Sequence, residues 1–183
     1  MIPLAITCNN PGGCAGVLAV GQTLTTRRYC GNYYADGPSG NGCGNTIADG
    51  EIFLAGITFD NNNSNSAFRD AVRDGYDEEV SIDQLARALP GNRNGWRSGM
   101  TDRLAAGENE LVFPVIREAT SPSGNFNVEI VDFVQVRISN FAQAGNTDET
   151  TFTIIQSSVS ATDFATASQG LGIESITGVR LTQ

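Results

Sequence analysis

Phe126-Asn127-Val128-Glu129-Ile130-Val131-Asp132-Phe133-Val134-Gln135-Val136-Arg137-Ile138-Ser139-Asn140-Phe141 is the stretch on which the fold turns. Phe126, Val128 and Ile130 alternate with polar residues, the period of a strand with one buried face. The alternation slips at Ile130-Val131, and Val134, Val136 and Ile138 then carry it on. Such a slip predicts a β-bulge or a bend within one long strand. Upstream, Leu111 to Arg117 is rich in branched residues and reads as a strand, with Pro114 pointing to an edge position or a bulge. Ser121-Pro122-Ser123-Gly124-Asn125 is the turn between the two. Downstream, Phe152 and Ile154 continue the period in another strand, and Val179 to Leu181 suits a last one. Ser157 to Ser168, dominated by Ser, Thr and Ala, defines no core.

Earlier in the chain, Val17 to Leu24 suits a short strand and Glu51 to Phe59 a stronger one. Asp60 to Ser66 breaks the latter with turn-forming residues. A short helix is expected next, with Ser66 as N-cap, Phe68, Ala71 and Val72 on one face and Gly75 as its stop. A second helix is expected from Ser81, where Ser81-x-x-Gln84 reads as a capping box. Its apolar face would be Ile82, Leu85, Ala86 and Leu89, and Pro90-Gly91 would end it. Thr101 to Ala106 suits one more helical turn. The fold class is therefore mainly β (α+β): an antiparallel sheet or sandwich with a small helical insertion and a disulfide-bearing N-terminal loop region. Length suits a single domain over residues 1–183, since domains run roughly 100–200 residues. Residues 1–50 form its loop-rich, cysteine-containing part.

Charge and missing residue types exclude whole classes of chemistry. The formal net charge is −9, and all 11 basic residues are arginine; the chain has neither lysine nor histidine. An acidic surface with scattered arginines argues against a nucleic-acid partner. Lack of histidine removes the commonest general base and transition-metal ligand. Lack of lysine removes Schiff-base chemistry and the phosphate clamp of P-loops. No Ser/His/Asp arrangement, phosphate loop or haem motif is present, so the chain reads as a non-enzyme. No apolar run approaches the roughly 20 residues of a bilayer span. No basic segment followed by an apolar stretch marks a signal peptide. An exported form would then be mature or excised, with Met1 as an expression start.

Cys8, Cys14, Cys30 and Cys43 all fall in the first quarter of the chain, among Gly- and Asn-rich loops. Loops of that composition bury little apolar surface and carry a large ordering entropy unless cross-linked. Two disulfides are expected, with three connectivities open. Cys8–Cys14 with Cys30–Cys43 is favoured because each closes a short loop. Zinc is the rival, but no C-x2-C knuckle or histidine supports it. Stapled loops of this kind belong outside the cytosol, so the expected location is extracytoplasmic, secreted or cell surface. Asp60, Asn61 and Asn63, with Asp70, Asp74, Asp77, Glu78 and Glu79 nearby, form an acidic and amide cluster. Hard oxygen ligands on a loop suit calcium, although the spacing matches no EF-hand and charge runs are commonly solvated faces. No other cofactor is indicated. Asp102-Arg103 suits a structural ion pair. Trp96, between Gly95 and Arg97, is either an exposed glycan or partner contact or a core anchor.

The order of Gly75-Tyr76, Val80-Ser81-Ile82 and Pro90-Gly91-Asn92 resembles the C-terminal region of TadG-like proteins of the tight-adherence (Flp) pilus-assembly family. Asp102-Arg103, Val112-Phe113-Pro114-Val115, Gly124-Asn125 and Ile130-Val131-Asp132-Phe133 continue that order. The opening Ile2-Pro3-Leu4-Ala5-Ile6 followed by Cys8 is similar to the start of the same region. The likeness covers roughly residues 51–141. The membrane-anchoring helix usual in that family, the second cysteine loop and the Ser/Thr-rich tail have no counterpart in the match. The resemblance implies an extracytoplasmic part in pilus biogenesis or surface attachment, with no catalytic residues. The leading expectation is a structural or assembly subunit whose partners are other protein subunits, in a homo- or hetero-oligomer. The alternative is a monomeric surface module that binds carbohydrate or protein, tuned by calcium. A hydrolase using two carboxylates is a distant third. Assembly is expected through sheet edges: residues 126–141, guarded only by Glu129, Asp132 and Arg137, would leave one open. Met1 to Ile6 or Val179 to Leu181 would be the donated strand.

Overall fold

A computed structural model describes residues 1–8, 18–26, 52–59, 64–76, 79–89, 95–116, 127–144 and 147–157. Seven strands and two helices follow in the order β1 (Leu4–Cys8), β2 (Thr23–Thr26), β3 (Ile52–Thr58), α1 (Asn65–Asp74), β4 (Leu85–Ala88), α2 (Gly95–Ala105), β5 (Glu110–Ile116), β6 (Asn127–Ala144) and β7 (Thr147–Ser157). The chain is mainly β, and its strands form one sheet in the order β2-β7-β6-β4-β3-β1-β5. Strand β5 also pairs with β6, so β6-β4-β3-β1-β5 closes into a ring of five. Neighbours in a ring with an odd number of strands cannot all run antiparallel. One seam has to be parallel, and it is β1 against β5, at Ile6↔Val115. The sheet is therefore mixed, where the sequence led us to expect an antiparallel one. β1 and β2, the described strands of the first 50 residues, are both part of it.

Alternate residues of the same strands serve two cores, as the two faces of a pleated strand require. Ala5, Ala55, Ile57, Ala86, Ala88, Val112, Ile116, Val128, Ile130 and Phe133 come from all five ring strands and fill the ring. Four alanines in that set fit the narrow bore of so small a closed sheet. Leu4, Ile6, Ile52, Leu54, Leu111, Phe113 and Val115 point the other way. They meet Val134, Val136 and Ile138 of β6, Phe152 and Ile154 of β7, and both helices. The slip read in the sequence is what divides β6 between the two. Val115 pairs with Asp132 but Ile116 with Ile130, so Val131 is left over as a bulge. Residues before it, with Phe133, serve the ring; Val134 onward serves the larger core. Pro114 lies one residue before this register shift, in a strand whose β1 side is held by the thin parallel seam.

β6 itself is an interior strand. β5 pairs along residues 130–137, while β4 and then β7 pair along residues 127–129 and 134–144. The edge expected there is occupied on the β5 side from Ile130 to Arg137, and beyond Arg137 β6 pairs with β7. Met1 to Ile6, expected as a donated segment, leads into and overlaps β1 (Leu4–Cys8), which pairs within its own chain between β3 and β5. Val179 to Leu181 lies outside the described residues.

Both helices depart from their expected bounds for local reasons. Ser64, not Ser66, caps α1, its hydroxyl accepting the Ala67 N–H at 3.2 Å. Phe68 and Val72, four apart, face the core, and Gly75 ends the helix at φ 94°, a conformation open to glycine. α2 begins at Gly95, six residues before the expected turn, and buries Trp96, Gly99 and Met100. It packs across α1 through its glycines: a Cβ on Gly95 would lie 2.3 Å from the Asn65 carbonyl oxygen, and one on Gly99 2.5 Å from that of Arg69. Glycine is a poor helix former, which hid this helix in the sequence, yet no other residue fits the crossing. Arg103 secures the pair by donating to the carbonyls of Val72 and Arg73, the last turn of α1, at 3.2 and 2.7 Å.

The second expected helix is a strand. The capping-box contact forms, with Gln84 Oε1 accepting the Ser81 N–H at 2.9 Å. Asp83, however, sits at φ 66°, which closes a turn and stops helical propagation. Leu85–Ala88 then pairs with β6 at Leu85↔Glu129 and with β3 at Ile57↔Ala88. Ala86 and Ala88 enter the ring, whereas Leu85 and Ile82 are exposed. Apolar residues at 82, 85, 86 and 89 satisfy a helical period, and pairing to two neighbouring strands overrode it.

Candidate functional site

The residues singled out in the sequence do not gather into one place. Trp96 is fully buried, with its ring edge-on to Phe141 at 5.2 Å. It anchors α2 in the core and is not an exposed contact for glycan or partner. Cys14, Cys30, Cys43, Asp60, Asn61 and Asn63 lie outside the described residues; so does the side chain of Cys8, whose backbone ends β1 opposite Ile52. Of the remaining acidic cluster, Asp70 pairs with Arg69 at 2.9 Å and Asp74 with Arg73 at 2.6 Å. The Arg73 hydrogen bond holds the Asp74 carboxyl below its ordinary range. Arg103 turns to Glu108 at 3.0 Å and not to Asp102. Burial draws the Arg103 guanidinium below its usual range, against the pull of Glu108 and Asp74. The Arg103–Glu108 pair ties α2 to the turn after it, whereas the two pairs on α1 join adjacent, exposed residues. Among the described residues, no group of three or more metal-ligating side chains forms.

What the sheet does present is a terminal strand. β2 ends the strand order; among the described residues its ladder partner is β7, with Thr23↔Thr153, Leu24↔Phe152, Thr25↔Thr151 and Thr26↔Thr150 in register, and β3 also comes close to it. The hydroxyls of Thr23 and Thr153 are 2.9 Å apart and those of Thr25 and Thr151 3.0 Å apart. Side chains approach this closely at the non-hydrogen-bonded positions of an antiparallel ladder. The Ile154 N–H donates to the Gln22 carbonyl at 2.9 Å, so the even-numbered residues bond inward to β7. The N–H and C=O groups of Thr23 and Thr25 consequently point out of the sheet's other edge. Among the described residues, no strand pairs with them.

The approach to that edge is built as a turn. The Gln22 N–H bonds the Ala19 carbonyl at 3.0 Å, the Ala19 N–H bonds Gln22 Oε1 at 3.3 Å, and Gly21 takes φ 84°. Val20 at its tip is 63% exposed. Leu18 to Thr26 contains no charged residue, in a chain whose net charge is −9. Natural edge strands are commonly guarded by charge, proline or a bulge; Thr23–Thr26 itself carries neither charge nor proline, and Arg27-Arg28 follow it in sequence. The sequence held a signal for this strand in Thr23-x-Thr25. Its apolar neighbours drew the expected strand back to Val17, and nothing local could show that it would end the sheet.

The described residues define a mainly β protein with a mixed sheet, five of whose strands close into a ring. The chain matches no protein-family model, no curated protein and no solved structure. No helix among the described residues is long and apolar enough to cross a membrane.

Proposed function

We propose that this chain is a structural or assembly subunit of a bacterial surface filament or of a tight-adherence (Flp) pilus system, working outside the cytoplasm by protein–protein association. The structural observation offered for the reading is β2, an uncharged strand that among the described residues has a ladder partner on one side only, the arrangement by which sheets add a strand from another chain. Support from the sequence is the ordered likeness to TadG-like proteins over residues 51–141 and the cysteine-rich start expected of an exported protein. Complete burial of Trp96 takes away the one aromatic contact on which a carbohydrate-binding module was expected to rely. Light scattering and negative-stain imaging of the purified chain test the proposal. Concentration-dependent assemblies, or a stable complex with a co-expressed pilus component, are expected. A monomer that engages a glycan array and no protein would overturn it.

A further inference from the structure

We infer that the five-strand ring opens along the seam between β1 and β5 while the rest of the chain stays folded, and that Pro114 fixes this line of opening. The inference concerns the ring alone and stands apart from the pilus reading above.

Backbone parity shows how each strand is held. The Ile57 N–H bonds the Pro3 carbonyl at 3.0 Å, so the odd-numbered residues of β1 turn to β3. Just ahead of β1, the Ile2 N–H bonds the Val112 carbonyl at 3.2 Å, so the even-numbered residues on the two sides of the seam turn to each other. The Ile138 N–H on the Asn109 carbonyl, at 2.8 Å, turns the odd-numbered residues of β5 to β6. On those other sides the ladders are full: Leu4 to Cys8 pairs with β3 at every residue, and Glu110 to Ile116 with β6 likewise. Across the seam, among the described residues, Ile6↔Val115 alone is paired.

Proline accounts for the gap. A parallel ladder joins a residue to both neighbours of its opposite number, so Ile6 reaches toward residues 114 and 116. Two residues back, Leu4 would reach toward 112 and 114, and proline has no N–H to offer at 114. The ladder stops there, and Ile2 takes the Val112 carbonyl that a continued ladder would give to Leu4. Parallel pairing is also slightly the weaker kind per residue. The β3–β4 pairing is short too, at Ile57↔Ala88 and Thr58↔Arg87. It is antiparallel, however, contains no proline, and is extended by the Leu89 N–H on the Gly56 carbonyl at 2.9 Å. Opening at β1–β5 leaves β1 on β3 and β5 on β6. Neither Leu4–Cys8 nor Leu111–Ile116 contains a charged residue, so a ring with no edge of its own becomes a sheet with two uncharged ones.

Amide hydrogen exchange of the intact chain, read residue by residue by NMR, tests this, because neighbouring amides of one strand face different seams. After correction for intrinsic rates, Ile6 and Ile116 are expected to exchange alike. Their rate should be on the order of ten-fold or more above that of Ala5, Thr7, Phe113 and Val115. Leu89, across β3–β4, is expected to stay with the slow group. Pro114→Ala supplies the missing N–H and is expected to narrow the gap between the groups by about five- to ten-fold, the worth of one hydrogen bond. If that variant does not fold, Pro114→Val supplies the same N–H on a better strand former. Ile6 and Ile116 as slow as Ala5 and Thr7 would overturn the inference, as would Leu89 joining the fast group in their place. A gap that the substitution at residue 114 leaves unchanged overturns it as well.

Discussion

Replacing Gly99 with alanine adds one methyl group at the closest approach of α1 and α2. The new Cβ would stand 2.5 Å from the carbonyl oxygen of Arg69 and 3.0 Å from Val72 Cβ. Ordinary contact needs at least 3.4 Å, so the helices must separate by roughly 1 Å, and a backbone oxygen has no rotamer by which to yield. Overpacking of this sort costs about 1–3 kcal/mol, and a backbone clash belongs at the upper end. Alanine returns about 1 kcal/mol through its better helix propensity. The net expectation is a loss of about 1–2 kcal/mol, or roughly 2–8 °C in Tm for a chain of this size. Separation also pulls Trp96 and Met100, on the same face of α2, away from the core. Urea unfolding followed by fluorescence of the single tryptophan reads both effects at once. Ser98→Ala, an exposed change in the same helix, is the control and should move stability by no more than about 0.5 kcal/mol. If Gly99→Ala proves as stable as the parent, or more so, the close crossing of the helices is wrong.

Phe133→Ala empties the centre of the five-strand ring and should cost about 3–5 kcal/mol in the same unfolding assay; a loss under about 1 kcal/mol would mean that Phe133 is not ring filling. Ser64→Ala removes the α1 cap and should cost about 0.5–2 kcal/mol, with no change in Trp96 emission. Trp96 should emit at short wavelength and resist acrylamide in the folded chain, and easy quenching would contradict its burial. The folded Asp74 carboxyl lies below its ordinary 3.8. Its contribution to stability is therefore present above that pH and lost as pH falls through the lower folded value. Asp74→Asn should flatten that acid limb slightly, the pair being exposed; an unchanged acid limb would exclude the pairing. Intact mass of the non-reduced chain should be lighter than that of the reduced chain by one hydrogen per cysteine, and four iodoacetamide adducts without reduction would exclude the disulfides.

Local pattern revealed what local physics decides. The alternation of β6, its slip at Val131, the branched run of β3 and the Gly75 stop of α1 all follow from side chains acting within a few residues. Sequence reasoning failed where a distant partner chose the outcome. Leu85 to Ala88 satisfies a helical period but is claimed as a strand by β3 and β6. Gly95 and Gly99 look like helix breakers until α1 is laid across them. Trp96 between glycine and arginine left a surface contact and a core anchor both open, and its burial is the second. The margin at β2 is a property of sheet order, and Thr-Leu-Thr-Thr reads the same in a central strand as in a terminal one. The parallel seam arises from counting strands around a ring, which no window of sequence contains.

That seam also orders events in time. Ile6 and Val115 are paired in the finished ring but lie more than a hundred residues apart in the chain. A hairpin of β1 and β3 can form as soon as Thr58 is available, whereas the second side of β1 stays bare until β5 and β6 exist. Contacts of such long sequence separation form slowly, since the loop must close before it is rewarded. A chain delivered N-terminus first, from a ribosome or through a translocation pore, therefore holds β1 half-paired while the residues between Thr58 and Ile116 arrive. The apolar Leu4 and Ile6 wait with it. Slowing the arrival of residues 110–137 lengthens the interval in which β1 is open to the wrong strand.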